Sequence, residues 1–375
     1  MTGIWKNYIT FAIILGRTSS PAVMKESLKQ IVFIVNPKSG THGKAHILIG
    51  IDECVNKDKY GVEIVYTQYP GHATEIAAQK AKENAYAVVA IGGDGTVNEV
   101  ARALVHTQTA LGIIPCGSGN GLARHLQIPM DPWEAIDIIN GGNQETVDYG
   151  KINDIPFFCT CGVGFDAFVS LKFSQAGKRG PLTYLEKTLR ESLNYRPETY
   201  ELDVDGSTSH YEAFLIACGN AAQYGNNAYI APQATMDDGL LDVTIVEPFT
   251  MLDVPTLAFQ LFNKTIDQNS RIKTFRCKDL HIHRTKSGVV HYDGDPIMMG
   301  EDIYVTIVKK GIQVLVPKNT PPNPISVLQR AQDYINGLKQ INESWVEDIT
   351  LRHKQILDKG KRQFKLLMKK NGTGL

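Results

Sequence analysis

Three glycine-rich turns carry the residue types that hold the phosphates of a nucleotide. Their sequences are NPKSG at 36–40, GGDGT at 92–96 and PCGSGN at 115–120. Glycine lets backbone N–H groups come close to phosphate oxygens, and a helix that begins after such a turn adds the positive end of its dipole. A carboxylate inside the turn, Asp94, would repel phosphate unless a Mg²⁺ ion lies between them. The three turns together predict a nucleotide site that uses Mg²⁺.

A pair of carboxylates marks a second place where chemistry could occur. Asp293 and Asp295 are separated by a single glycine and follow the apolar segment 287–290. Repulsion between two carboxylates in one turn helps to raise the pKa of one of them toward the range that a general base needs. Asp-Gly pairs also form ordinary hairpin turns, so the residues alone leave both interpretations open.

The segments around the glycine-rich turns predict an open α/β domain. Apolar runs at 31–35, 62–66, 85–91 and 111–114 are typical of strands in a parallel sheet, and helical stretches alternate with them. The helix after GGDGT is predicted at 97–105. Ligands of open α/β sheets bind beyond the carboxyl ends of the strands, so we expect the turns to meet at one site.

The pattern changes after about residue 150 and predicts a β-sandwich. Short β-rich segments occur at 157–161, 199–204, 211–218, 241–246, 280–283, 303–308 and 312–316, with helical interruptions near 183–194 and 250–262. The predicted organisation is an extension at 1–28, an α/β nucleotide-binding domain at 29–150, a β-rich domain at 151–318 and a basic helical tail at 325–372. The extension is interpreted as disordered, as a start assigned before Met24, or as a weak signal peptide.

Composition narrows the partners and the compartment. The chain has 375 residues with 39 Lys plus Arg and 39 Asp plus Glu, so its net charge predicts no nucleic-acid partner. Six cysteines occur without a CxxC pair, which indicates reduced thiols in a cytoplasmic protein. No run approaches the roughly 20 apolar residues that cross a bilayer.

The three turns also carry a family resemblance. NPKSG, GGDGTVNE and PCGSGNGLA resemble, in this order, signatures of the diacylglycerol kinase catalytic-domain superfamily, which includes bacterial diacylglycerol and lipid kinases and sphingosine kinases. The resemblance extends from about residue 30 to residue 317. It implies an ATP-dependent kinase that phosphorylates a lipid hydroxyl, with the β-rich domain as the lipid-acceptor domain. The ATP contacts that it implies are Asn36, Pro37, Lys38, Ser39, Gly40, Thr67, Gly92, Gly93, Asp94, Gly95, Thr96, Val97, Asn98, Gly117, Ser118, Gly119 and Asn120.

The resemblance also implies roles for the acidic turns. The 293–295 turn is similar to an Asp-Gly-Glu motif whose first Asp is the general base, which makes Asp293 the acceptor of the lipid hydroxyl proton. Asp295, which stands where Glu is commoner, would position Asp293 or a water of Mg²⁺, and Asp94 completes the implied catalytic set.

A second acidic turn, at 236–242, precedes a predicted strand and is either a solvated turn or a metal site. It resembles a stretch that holds a structural Mg²⁺ in relatives, which implies Asp238, Leu240 and Thr235 as ligands. Some relatives carry an acidic residue where Thr235 stands.

Other functions and partners stay open. An NAD kinase-like phosphotransferase shares the GGDGT turn but uses a small soluble acceptor, and a regulator would bind nucleotide or lipid without turnover. The tail carries eight Lys and Arg residues between Arg352 and Lys370 against the single acid Asp358, beside an apolar edge. It predicts docking on an anionic membrane surface; packing on the partner subunit of a homodimer and a solvated tail are the alternatives.

Overall fold

A computed structural model of the chain describes residues 28–39, 44–176, 195–204, 206–250 and 252–318. The predictions for the N-terminal extension (1–27), Gly40, the helical interruption near 183–194 and the tail fall outside these residues.

A parallel sheet forms the centre of the first unit. β1 (Lys29–Val35), β2 (Tyr60–Tyr66), β3 (Ala87–Gly92) and β4 (Ala110–Pro115) lie in the order β2-β1-β3-β4. All residues of β3 and β4 and the last five of β1 are buried, as their continuous apolar sequences predict. The helices of this unit are α1 (Ala45–Cys54), α2 (His72–Lys82), α3 (Asp94–Leu104), α4 (Gly121–His125) and α5 (Pro132–Gly141). α3 begins three residues before the predicted helix, at Asp94 itself.

Two packed sheets form the second unit. The elements that follow α5 are β5 (Gln144–Ile152), β6 (Ile155–Phe157), β7 (Thr160–Gly164), α6 (Phe165–Ala176), β8 (Glu198–Val204), β9 (Ser207–Ala213), β10 (Leu215–Gly219), β11 (Leu241–Val246), α7 (Val254–Phe262), a 3₁₀ helix (Ile266–Gln268), β12 (Ile272–Cys277), β13 (Asp279–Arg284), β14 (Gly288–Tyr292), β15 (Asp295–Met299) and β16 (Asp302–Leu315). An antiparallel sheet in the order β12-β11-β10-β7-β14-β15 packs on β16-β13-β8-β9. Its core includes Val163, Val243 and Val290 from one sheet and Leu280 and Ile303 from the other.

One long strand joins the two units. β16 pairs with β13 through residues 302–306 and, beyond a bulge between Val308 and Ile312, lies parallel to β4 through Val314 and Leu111. β5 pairs with β16 on both sides of the bulge. The sheet of the first unit therefore continues into the sandwich, and the predicted fold class, an α/β domain plus a β-sandwich, is confirmed.

Three strand predictions were wrong in detail. The segment 157–161 is interrupted at Phe158 and Cys159, because their N–H groups donate to the Asp293 carboxylate. The segment 211–218 is two strands, since the chain passes from one sheet to the other at Phe214. The segments 303–308 and 312–316 are one strand with a bulge. Within the described ranges, no helix is both long and apolar enough to cross a bilayer.

Candidate active site

The first and second glycine-rich turns meet at the carboxyl ends of β1 and β3. The backbone N–H of Asn36 donates to the Ile91 carbonyl at 3.1 Å, and its side-chain Nδ2 donates to Thr96 Oγ1 at 2.9 Å. Asn36 Oδ1 accepts the N–H of Lys38 at 3.0 Å, and the Ser39 hydroxyl donates to the Asn36 carbonyl. The Asn36 side chain therefore fixes its own turn and ties it to the start of α3.

The second and third turns pack backbone to backbone. A Cβ atom on Gly117 would lie 2.8 Å from the Cα of Gly93, so the two turns leave no room for a side chain between them. Asn120, in the left-handed region at φ 49°, closes the third turn: its Oδ1 accepts the Gly117 N–H at 2.9 Å and its Nδ2 donates to the Gly117 carbonyl at 2.7 Å. Ser118 and Gly119 lie inside this turn.

Asp94 links the same two turns through its carboxylate. It is the first residue of α3, and its Oδ2 accepts the N–H of Asn120 at 2.8 Å while its Oδ1 accepts the N–H of Gly121 at 2.7 Å. Gly121 begins α4, so the carboxylate caps the positive end of that helix. Among the described residues, the hydrogen-bond partners of Asp94 are thus these two backbone donors, and its predicted contact with Mg²⁺ and phosphate stays a prediction.

Thr67 directly follows β2 and donates its N–H to the Val35 carbonyl at 2.9 Å, which places it beside the first turn. Glu99 of α3 holds the next segment: its carboxylate accepts the N–H groups of Gly71 and Ala73 at 3.0 and 3.2 Å. Sequence reasoning missed Glu99, although the unpaired N–H groups at the start of α2 require an acceptor.

Asp293 occupies a tight turn between β14 and β15. Asp293 and Gly294 have φ values of 51° and 84°, which is the left-handed pair of a type I′ hairpin. The carboxylate points inward: Oδ2 accepts the Phe158 N–H at 2.9 Å, and Oδ1 accepts the N–H groups of Cys159 and Thr160 at 2.7 and 3.3 Å. The Asp-Gly pair therefore forms a hairpin turn and also holds a partly buried carboxylate, which leaves the role of general base open to Asp293.

The electrostatics of Asp293 suit a general base. Burial raises its pKa from the usual 3.8 to about 6, while the N–H groups that it accepts and the nearby Arg102 charge act in the opposite direction. Such a carboxylate is ionised at neutral pH and still binds a proton far better than an exposed Asp.

Arg102 connects the hairpin to α3. Its Nη2 lies 3.3 Å from Asp295 Oδ2, and its Nε donates to the Pro156 carbonyl at 3.4 Å. The guanidinium carbon lies 4.8 Å from the centre of the Tyr292 ring. Asp295 therefore faces Arg102, and sequence reasoning gave no hint of this partner.

The α/β unit and the base hairpin meet at Cys159. Burial raises the pKa of this thiol well above its usual value, and the charges of Asp293 and Asp94 both raise it further. The Cys159 N–H donates to Asp293 at 2.7 Å, and its side chain packs in the buried core of the first unit, so the base hairpin lies against that unit.

A buried network lies on the other side of the hairpin. Asp166 Oδ2 lies 2.9 Å from His291 Nε2 and accepts a hydrogen bond from the Tyr224 hydroxyl at 3.1 Å. The loop that carries Tyr224 reaches the third glycine-rich turn, where the Asn226 N–H donates to the Gly119 carbonyl at 2.9 Å. This network joins β14, which leads into Asp293, to a nucleotide turn.

The predicted metal turn precedes β11. Asp238 Oδ1 accepts the N–H of Leu240 at 3.0 Å, and its Oδ2 lies 3.5 Å from Arg276 Nη1. Thr235 lies three residues before Asp238 in the same loop. Among the side chains that the structure describes, no group of three His, Cys, Asp or Glu residues could hold a metal ion. The ligand set Asp238, Leu240 and Thr235 stays a prediction.

Two family descriptions match the two units of the fold. A family described as "Diacylglycerol kinase catalytic domain" matches residues 30–152, and "YegS C-terminal NAD kinase beta sandwich-like domain" matches residues 159–316. A diacylglycerol kinase of Mycobacterium tuberculosis (strain H37Rv) is 28% identical over 311 residues, which cover 80% of this chain and 99% of that protein. A Chromohalobacter salexigens protein named "Probable lipid kinase YegS-like" is 32% identical over 220 residues, 56% of this chain and 71% of that protein.

Solved structures share the fold. A crystal structure of a diacylglycerol kinase from Bacillus anthracis str. Sterne superposes with a TM-score of 0.60 at 21% identity, and another from the same organism with 0.66 at 24%. Each covers 78% of this chain and 98% of its own. The chain belongs to the family of diacylglycerol kinases and YegS-like lipid kinases. It is an ATP-dependent lipid kinase, as the sequence predicted.

Proposed function

We propose that this lipid kinase uses Asp293 as the general base for attack of a lipid hydroxyl on ATP. The lipid oxygen forms a bond to the γ-phosphorus, the bond from that phosphorus to the β,γ-bridging oxygen breaks, and the hydroxyl proton passes to Asp293. The observation that carries the proposal is the partly buried Asp293 carboxylate, which points inward from the hairpin and accepts three backbone N–H groups of the 158–160 segment. Its pKa of about 6 agrees with this role. Phosphoryl transfer needs mainly positioning and charge stabilisation, so one base and a set of backbone donors suffice for the protein's part.

The nucleotide side of the proposal rests on the three linked turns. We assign the phosphates of ATP to the start of α3, where the N–H groups of the first turn have no acceptor within the helix, as at Gly95. The 36–39 and 117–120 turns form the walls of this site, because the first is hydrogen-bonded to Thr96 and the second packs on Gly93. In this assignment Asp94 holds the third turn against the second, because its two oxygens accept hydrogen bonds from the backbone N–H groups of Asn120 and Gly121.

The described residues fit Mg²⁺ poorly as a resident metal. Asp94 is engaged by two N–H groups and Asp293 by three, while Asp238 binds its own turn and Arg276. Mg²⁺ that reaches the site as the counter-ion of ATP fits better than a metal held by a side-chain cluster, and no step of the proposal passes through it.

Diacylglycerol is the first acceptor to test, because relatives of this chain are named for it. A sphingoid base or another lipid hydroxyl presents the same chemistry. NAD is the alternative acceptor and is soluble; it is considered because the family that matches the second unit is described as NAD kinase beta sandwich-like. We also propose that the enzyme meets its lipid at a membrane surface.

The test is incubation with γ-labelled ATP and a total lipid extract. Label is expected in the organic phase for a lipid product, whereas label in the aqueous phase as NADP would favour the NAD kinase alternative. Asp293→Asn is expected to lower kcat by about 10² or more with little change in ATP affinity, the usual scale of acid–base help. This variant should fold, since asparagine tolerates the left-handed backbone at φ 51° and its carbonyl still accepts two of the three N–H groups. Asp295→Asn should cost less, and the reverse order would move the base to Asp295.

A further inference from the structure

α3 extends from the nucleotide site to the base hairpin. Its first residue, Asp94, binds the third glycine-rich turn, and Arg102 lies in its last turn. Eight residues of α-helix span about 12 Å, so the helix is a short rigid connection between the two.

Arg102 contacts the second unit in three independent ways. It forms an ion pair with Asp295, donates to the Pro156 carbonyl and lies over the Tyr292 ring. The Arg102 side chain is 21% exposed and that of Asp295 is 51% exposed, so the ion pair alone stabilises little. The planar guanidinium can serve all three partners together, which an ammonium group cannot. These contacts lie on both sides of Asp293, at residues 292 and 295.

We propose that Arg102 is a positioning residue of the kinase reaction, which fixes the base hairpin against the helix that begins at the nucleotide site. The inference rests on the proposed function, in which Asp293 is the base. Arg102 itself touches neither the lipid nor ATP in this proposal. It acts through Tyr292 and Asp295, which flank the base.

The charge of Arg102 has a second consequence for Asp293. It lowers the pKa of Asp293, against the burial that raises the pKa to about 6. Other ionisable groups near this carboxylate are the Cys159 and Cys161 thiols, whose pKa values are raised well above the usual range by burial, Asp295 in the same hairpin, and Asp94, whose charge also acts on Cys159. The thiols are neutral at physiological pH and the two carboxylates disfavour ionisation of Asp293, so Arg102 is, within the part of the chain that the structure describes, the cation that favours the ionised base.

The experiment measures kcat between pH 5 and pH 9 with labelled ATP and detergent-dispersed diacylglycerol. The acid limb of kcat reports the ionisation of the base in the enzyme–substrate complex. Arg102→Gln removes the charge and is expected to move this limb upward by about half to one pH unit, so that kcat falls about two- to fivefold more at pH 6 than at pH 8. Arg102→Lys keeps the charge but loses the fork and the stacking. It should keep the wild-type limb and lose a few-fold in kcat at every pH.

Two further variants make the outcome decisive. Arg102→Met keeps an aliphatic stem over Tyr292 and tests the charge if Arg102→Gln does not fold. Arg271→Gln, at an exposed arginine just before β12, is the control for loss of an arginine and should match the wild type. Circular dichroism and thermal unfolding report the folded fraction of each. A wild-type acid limb that Arg102→Gln and Arg102→Met leave in place would overturn the role of Arg102. Absence of an acid limb near pH 6 in the wild type would instead overturn the assignment of Asp293 as the base.

Discussion

The nucleotide turns and the base hairpin are positioned by different means. The turns are held by backbone contacts and by residues inside their own motifs, such as Asp94 and Asn120. The base hairpin is held by side chains from distant segments, Arg102 on one side and the His291–Asp166 pair on the other. The first arrangement follows from short motifs, whereas the second depends on the whole fold. Substitutions far from Asp293 are therefore expected to act on it, while the turns should respond mainly to changes within them.

The largest effect that tests this comparison is expected for Gly117→Ala. The added Cβ would lie 2.8 Å from Gly93 Cα, a backbone atom that cannot move away without displacing the GGDGT turn. We expect ATP affinity to fall by about tenfold or more, measured by isothermal titration, because the N–H groups of two turns lose their common geometry.

Gly141→Ala is the matched control for this change. Gly141 ends α5, and its added Cβ meets no atom within 4 Å. Its ATP affinity should equal that of the wild type. Unchanged ATP affinity in Gly117→Ala as well would mean that the two turns do not bind the nucleotide together.

A second prediction concerns the effect of Asp293 on the pH dependence of the free energy of unfolding. Its folded-state pKa of about 6 is above the ordinary value of 3.8, so the native state binds the proton more tightly than the unfolded state does. The free energy of unfolding should therefore decrease as the pH rises from about 4 to 6, by on the order of 2 kcal/mol from this group, and then level off.

Urea unfolding of the wild type and Asp293→Asn across this pH range isolates the contribution, since asparagine does not titrate. The wild type should lose stability relative to the variant as the pH rises. A constant difference between the two proteins from pH 4 to pH 7 would show that Asp293 has an ordinary pKa in the folded state.

Tyr224→Phe tests the second clamp on the base hairpin. It removes the hydroxyl that donates to Asp166 but keeps the ring, so it should cost about 2 kcal/mol of unfolding free energy for a buried bond to a carboxylate. We expect kcat to fall a few-fold with a smaller change in ATP affinity. Tyr304→Phe, at an exposed tyrosine of β16, should change neither quantity. If only ATP affinity falls, the Tyr224–Asp166–His291 network supports the nucleotide turns and does not position the base hairpin.

The sequence predicted the nucleotide turns far better than the contacts that hold the base hairpin. The buried strands and the glycine-rich turns could be predicted because their signals are local, within runs of five to nine residues. Arg102 could not be found in this way, since it meets Asp295 across 193 positions of sequence, and His291 meets Asp166 across 125. Nothing in the local pattern of α3, α6 or β14 distinguishes these residues from ordinary surface or core positions. The strand break at Phe158 was missed for the same reason, because its cause is a carboxylate 135 positions away.

The smallest effect on turnover is expected for removal of the tail. Both the nucleotide turns and the base hairpin lie within residues 28–318, so a chain that ends at Pro324 should fold and keep kcat within about twofold on detergent-dispersed lipid. A large loss of turnover in detergent would show that the tail contributes to the active site.

Binding to vesicles is where the tail should matter. The segment 352–370 contains eight basic residues and a single acidic residue. Each basic residue near an anionic surface contributes about 1 kcal/mol to binding. The full chain is therefore expected to sediment with phosphatidylserine-containing vesicles at low salt and to be released at high salt, because the attraction is screened. The shortened chain should sediment weakly at any salt concentration, and pure phosphatidylcholine vesicles provide the control without surface charge. If the shortened chain binds anionic vesicles as well as the full chain does, the membrane contact belongs to residues 1–324, and the basic tail has another partner.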